Sequence, residues 1–220
     1  MSEHPDGAIL QRDKTTYAIV PRTPAGLITP AQLSALARVV EKHKIPIVKI
    51  TSGQRIALVG MEKETVAAIW DDLSMDIGRA TELCLHYVQS CPGNTVCTFG
   101  LQDSLGFALE LETAYEGLDL PAKVKLGVSG CPLCCGESYV RDVGLVGRKN
   151  GWEVSFGGNA GQKSRIGDVL ATDLPREEAR ALVDRLLAYY RAEGRKRERT
   201  ARFVTRVGIE AVKAAVLGQG

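Results

Sequence analysis

The sequence predicts an α+β fold in two successive halves, and three observations carry that expectation. Between residues 15 and 75, short β-branched runs alternate with segments of helical period. From Lys123 to Val128, charged or small residues alternate with valine and leucine, the period of a strand with one buried face. From Pro175 to Tyr190, Ala179, Leu182, Val183, Leu186 and Leu187 fall on one side of a helix whose other side is charged.

In chain order, residues 1–14 read as a tail and Thr15 to Val20 as a short strand. Thr29-Pro30-Ala31-Gln32 supplies an N-cap, a proline at the first helical position and a reciprocal capping glutamine, so a helix starts there. Leu33, Leu36, Ala37 and Val40 give its apolar side, and Pro46 lies beyond its charged end. Ile45 to Ile50 and Arg55 to Val59 read as strands around a Ser52-Gly53 turn, and Glu62 to Leu73 as a second helix. Residues 15–75 thus form a small half-domain, with a linker around 71–78. The second half, residues 76–190, opens with a helical or extended entry from Ala80 to Gln89. It continues with a helix over Leu101 to Glu116, a strand ending at Ser129, and strands near Val140 to Val146, Trp152 to Phe156 and Asp168 to Ala171. Residues 191–220 read as a helical tail, in which the mixed charges from Arg195 to Arg199 suggest a solvated surface.

Composition narrows the function. Among 220 residues, 45% hydrophobic, 28 basic side chains face 26 acidic ones, a balance that gives no reason to expect nucleic acid or an anionic membrane as partner. No apolar run is long enough to span a bilayer, and Met1 to Leu10 does not read as a signal sequence. A cytoplasmic protein is therefore expected, in which six cysteines stay reduced and their clustering points to metal.

Five residues separate Cys91 from Cys97, three separate Cys131 from Cys135, and 33 lie between the pairs. All four sit in loops bearing glycine or proline. That layout suits a [4Fe-4S] cubane, where each thiolate takes one iron and glycines let backbone N–H groups approach the sulfur. A structural zinc site prefers two to four residues between ligands, and buried or redox thiols are the remaining alternative. Cys84 reads as a small buried side chain in an apolar helical stretch, and Cys134 as the neighbour of a ligand.

The run from Ser90 to Ser104, SCPGNTVCTFGLQDS, followed by VSGCPLCC from Val128 to Cys135, resembles the signature of siroheme-dependent sulfite and nitrite reductases. The similarity extends to Arg22-Thr23-Pro24-Ala25-Gly26, to Thr51-Ser52-Gly53-Gln54-Arg55 and to Phe156-Gly157-Gly158-Asn159-Ala160-Gly161. It implies a ferredoxin-like half-domain followed by a [4Fe-4S]–siroheme domain. It also implies that the cluster is held by Cys91, Cys97, Cys131 and Cys135, with Cys135 bridging to the siroheme iron.

The resemblance further implies a substrate anion, sulfite or nitrite, gripped and protonated by cations. Lys123 and Lys125, two apart on a strand, project from one face and match the family's substrate lysines. A desolvated lysine beside another cation has a lowered pKa and donates its proton more readily near neutrality. Arg22 matches an arginine that reaches the anion. Gln54, Arg55, Arg79, Lys163 and Arg165 are candidates for the siroheme carboxylates, and Gly157, Gly158 and Asn159 offer backbone N–H groups to the macrocycle.

Two departures stand out. Five residues before Cys91 relatives place a second substrate arginine; His86 stands here and lacks the permanent charge and the fork. Many relatives also carry the whole unit twice in tandem, whereas it occurs here once, which suggests a homodimer. The expected function is six-electron reduction of sulfite to sulfide, with electrons from an external single-electron donor such as ferredoxin. Nitrite reduction, or an iron-sulfur electron carrier lacking siroheme, is the alternative.

Overall fold

Local capping sets the first helix where the sequence places it. In the computed structural model, which describes residues 4–218, Thr29 accepts from the Gln32 backbone while the Gln32 side chain bonds back to Thr29, and Pro30 opens helix α1 (Pro30–Lys42). The chain divides into two units, Met1–Thr81 and Glu82–Gly220.

In the first unit a four-stranded antiparallel sheet runs in the order β1-β2-β4-β3, formed by β1 (Ala8–Leu10), β2 (Tyr17–Ile19), β3 (Ile47–Ile50) and β4 (Ile56–Met61). Helices α1 and α2 (Val66–Leu73) close its core, where Tyr17, Ile19, Leu36, Val39, Leu58, Ile69 and Leu73 are buried together. Strand β1 lies inside the stretch read as a tail, because its backbone pairs with β2 from Ala8 opposite Ile19 to Leu10 opposite Tyr17. The second helix starts later than expected: a 3-10 turn occupies Lys63–Thr65, where no side chain is buried to anchor a longer helix.

The second unit is built on a five-stranded sheet, β5-β6-β7-β8-β9. Its strands are β5 (Leu85–Ser90), β6 (Val124–Ser129), β7 (Val143–Arg148), β8 (Gly151–Phe156) and β9 (Asp168–Leu174), joined by helix α3 (Ser104–Tyr115) between β5 and β6. Strands β5, β6 and β7 are parallel, and β8 and β9 return antiparallel. One face carries Val88, Leu126, Val128, Val143, Leu145, Val154 and Phe156, nearly or fully buried; α3 and helix α4 (Arg176–Glu193) pack against strands of this sheet. The opposite face presents Tyr87, Gln89, Lys125, Gly127, Ser129, Gly144 and Ser155, matched across β5 to β8 by the strand registers.

Of the two forms open to the stretch from Ala80 to Gln89, helical or extended, the second holds: after bends over residues 80–83 the chain enters β5, a fully buried strand paired parallel with β6. Cys84 therefore sits in a bridge with Asp119 rather than in a helix, and is buried. The stretch read as a C-terminal tail folds onto the unit as α5 (Thr200–Val207) and α6 (Ile209–Val216), burying Phe203, Val204, Val212 and Val216. The first three residues of the N-terminal tail and the last two of the C-terminal one lie outside the described residues. Among the described residues no helix is long and apolar enough to cross a membrane.

Candidate metal centre and anion site

Parallel pairing of β5 and β6 brings the two cysteine loops to the same end of the sheet. Ser90 lies opposite Val128, and the Cys91 N–H donates to the Val128 carbonyl at 3.3 Å. The loops are knitted by the Gly130 carbonyl, which accepts from Leu101 (2.8 Å) and Gln102 (3.0 Å), while the Gly130 N–H donates to Cys91 Sγ at 3.2 Å. A Cβ on Gly130 would stand 2.7 Å from Gly93 Cα, so the approach requires glycine at that point. Ser104 fixes the first loop by donating to the Cys91 carbonyl at 2.7 Å.

All six cysteines are free. Cys131 is buried, Cys91 half-buried, and Cys97 and Cys135 exposed. Cys134 turns inward from a left-handed conformation (φ 57°), with its sulfur 3.8 Å from the Ser129 hydroxyl. Among the described residues no three His, Cys, Asp or Glu side chains are gathered so as to hold a single metal ion. The fit to a cluster therefore rests on the donor set and on the knitted loops: four thiols, an N–H already aimed at one sulfur, and backbone close enough to exclude any side chain but hydrogen.

In the first unit, three turns bring four of the sequence-identified residues to one region. Arg22 follows the bridge of Pro21 with Ile77, and its guanidinium lies 3.8 Å from Asp76. The Thr23 hydroxyl donates to the Gln54 carbonyl at 3.4 Å, and Gly26 packs on the Gln54 side chain. Arg55, 9% exposed, donates to the Arg79 carbonyl at 2.7 Å.

In the second unit, Lys123 and Lys125 flank Val124 and are half-buried while Val124 is fully buried, so the pair shares one face. Burial and then the Arg199 guanidinium hold the Lys125 ammonium below its ordinary pKa; Asp142 acts in the opposite sense. Its Nζ lies 5.6 Å from the centre of the Tyr87 ring. His86 is not a helix residue: it sits at an irregularity in β5, 8% exposed, with Nε2 2.7 Å from the Glu82 carbonyl.

The 157–165 segment closes on itself. Asn159 and Arg165 exchange backbone bonds at 2.9 and 2.8 Å, and the Asn159 amide donates to the Lys163 carbonyl at 2.6 Å. The Gly157 N–H is already engaged, and both glycines lie tight against neighbouring backbone. Gly157 N–H donates to the Asp142 carbonyl at 2.9 Å, and a Cβ on Gly158 would stand 2.3 Å from the Arg141 carbonyl, so both glycines serve packing against the 141–142 backbone. Arg165 is partly engaged, donating to Gly157 O at 3.0 Å and pairing with Asp168.

Asn159, Lys163 and Arg165 line a cleft of about 480 Å³ together with Arg199, Arg202 and Thr205. Sequence reasoning missed the two arginines, having read the charged run ending at Arg199 as solvated. No sequence pattern marks them; in the structure Thr200, just after that run, is 0% exposed, where the chain turns back into the core. Also missed was Asp142, 1% exposed, whose carboxylate accepts from Arg199 Nη2 (2.8 and 3.0 Å), Thr200 Oγ1 (2.5 Å) and the Lys125 N–H (2.9 Å). Burial pushes this carboxyl up in pKa, with the Arg199 guanidinium the strongest influence opposing it.

Known proteins resemble the chain along its length. A family model described as the nitrite and sulphite reductase 4Fe-4S domain matches residues 83–219, and one described as the nitrite/sulfite reductase ferredoxin-like half domain matches residues 9–75. The chain is 61% identical over 218 residues to an assimilatory-type sulfite reductase of Nitratidesulfovibrio vulgaris, covering 99% of this chain and 100% of that protein. It is 42% identical over 209 residues to an NAD(P)H nitrite reductase of Bacillus subtilis, covering 95% of this chain but 26% of that one. The fold superimposes on dissimilatory sulfite reductase I with a TM-score of 0.81 at 16% identity, covering 93% of this chain and 70% of that one.

Proposed function

The chain belongs to the nitrite and sulphite reductase family, and we propose on that premise that it reduces sulfite to sulfide. Cys91, Cys97, Cys131 and Cys135 would hold the [4Fe-4S] cluster, and Cys135 would also meet the siroheme iron. The two groups together would supply electron storage. What the chain itself must do is bind a small oxyanion, exclude competing water, and deliver protons as oxygen leaves.

The observation that carries this reading is that Lys125 shares a face of β6 with Gly127 and Ser129, in the strand that runs directly into Cys131. An ammonium held below its ordinary pKa by burial and a neighbouring cation gives up its proton more readily than an exposed lysine. Reduction of sulfite consumes six electrons and seven protons and yields hydrogen sulfide ion and three waters, so repeated donation from a replenished lysine is required. Arg22 is assigned to the anion, and Gln54, Arg55, Arg79, Asn159, Lys163 and Arg165 to siroheme carboxylates. His86, bonded to the Glu82 carbonyl, is the weakest of the catalytic assignments.

Electrons enter singly from an external donor of ferredoxin type, matching the one-electron steps of a cluster. Identity over the entire length of the N. vulgaris protein favours sulfite; the 42% identity to a nitrite reductase supports nitrite as the second substrate. The test is purification with siroheme supplied, followed by absorption spectra, iron and sulfide analysis, and parallel assays of sulfite and nitrite with a reduced dye. Soret and red bands with sulfide production at the higher kcat/KM are expected. A protein that takes up iron and sulfide but no tetrapyrrole would instead be an electron carrier.

A further inference from the structure

We propose that Asp142 is the positioning residue of this site: its buried carboxylate ties the backbone of Lys125 to the start of α5 and supplies the negative charge that balances Arg199 beside the lysine, while its backbone carbonyl holds the 157–167 loop. The inference rests on the reading of Lys125 as a proton donor. Asp142 bonds to all three segments at once. Its carboxylate accepts from the Lys125 N–H at 2.9 Å, from Arg199 through both Nη2 contacts and Nε (3.3 Å), and from the Thr200 hydroxyl. Its backbone carbonyl accepts from Gly157. Every group touching the carboxylate is a donor, the pattern of an ionised acid.

Burial of a charge is tolerated only when it is paired and hydrogen-bonded, and here the pairing has a direction. Arg199 also lines the cleft shared with Asn159, Lys163 and Arg165, so a carboxylate gripping it fixes the guanidinium at the cleft wall. Lys125 is faced by the Tyr87 ring from β5, by Lys123 on its own strand, by Arg141 and Asp142 from the segment before β7, and by Arg199 from the start of α5. Of these charges only Asp142 is negative. Without it, Lys125 faces three cations and its ammonium becomes harder to keep.

The test uses the holoenzyme and reads the lysine directly. Trace acetic anhydride labels unprotonated amines, and quantifying Lys125 acetylation by peptide mass spectrometry across pH gives its midpoint. Asp142→Asn keeps the shape and removes the charge; the midpoint is expected to fall by about 0.5–1 pH unit, with the alkaline limb of kcat moving the same way. The double variant Asp142→Asn/Arg199→Gln removes one charge of each sign and is expected to return the midpoint to within about 0.3 unit of the parent. An unmoved midpoint in Asp142→Asn at unchanged siroheme and iron content overturns the proposal, as does a double variant shifted as far as the single one. If Asp142→Asn does not fold, Asp142→Glu decides: the retained charge is expected to hold the midpoint while displacement of Arg199 from the cleft wall lowers siroheme content, and the reverse pattern overturns the assignment. A parent enzyme that reduces neither anion refutes the functional reading separately, since the labelling midpoints do not depend on turnover.

Discussion

At the scale of single residues, adjacent cysteines provide a sharp test. Cys134 points its sulfur inward toward Ser129, whereas Cys135 is exposed. Cys134→Ala is therefore expected to retain about four irons per chain, and Cys135→Ala to lose the cluster, both read by iron and sulfide analysis; equal loss in the two would overturn the ligand assignment. Gly130→Ala should act on the same site from the backbone, since its methyl would stand 2.7 Å from Gly93 Cα and force the knitted loops apart. Cluster loading is expected to drop although no ligand has changed. The lysines report on chemistry rather than assembly: Lys125→Gln should retain both cofactors and lower kcat by about 10²- to 10⁴-fold, and normal turnover would remove Lys125 from the proton path.

At the scale of elements, α5 couples the site to the core. Phe203 is 0% exposed and meets Phe156, Tyr189 and Tyr190 edge-on. Truncation to alanine should destabilise the second unit by about 3–5 kcal/mol, measured by the denaturation midpoint. The turn into α5 is pinned by Glu198, which accepts from Arg206 at 2.8 Å; that guanidinium holds the carboxyl at about 2, below the usual carboxylate range. A depressed folded-state pKa stabilises above the ordinary value near 4.5, and that contribution is lost as pH falls toward 2. Amide exchange at the start of α5 should therefore rise across that acid window, and Glu198→Gln should abolish the rise. Such elements were legible to different degrees. Thr29 and Gln32 announce α1 because capping is local chemistry, and β6 announces itself because one of its faces is buried throughout. Strand β5 hid from pattern reading because burial on both faces erases the alternation that reveals a strand. The docking of α5 was hidden because Arg199 reads as a surface residue and is held half-buried by Asp142, 57 positions away. The four cysteines proposed as ligands stood out by spacing and surroundings; Asp142 did not, since a lone acid before a strand carries no pattern.

At the scale of the whole molecule, the open question is what covers β3. It is an edge of the first unit's sheet, paired among the described residues with β4 alone, and Ile47, Val48 and Ile50 are 53%, 51% and 71% exposed. An edge strand with unpaired backbone groups and apolar side chains on both faces is a template for pairing. The matching family model describes this unit as a half domain, and a second copy of the chain offers an identical edge, so two-fold pairing satisfies both edges with one contact. The proposed homodimer is therefore expected to sediment at about twice the 23.7 kDa chain mass. Val48→Lys places a charge in that edge without touching the buried core or any cofactor residue, and it should shift the protein to monomer with siroheme and iron content unchanged. A parent protein that sediments as a fully loaded, active monomer would leave β3 to another partner, and the electron donor is then the first candidate to test by cross-linking through Lys49.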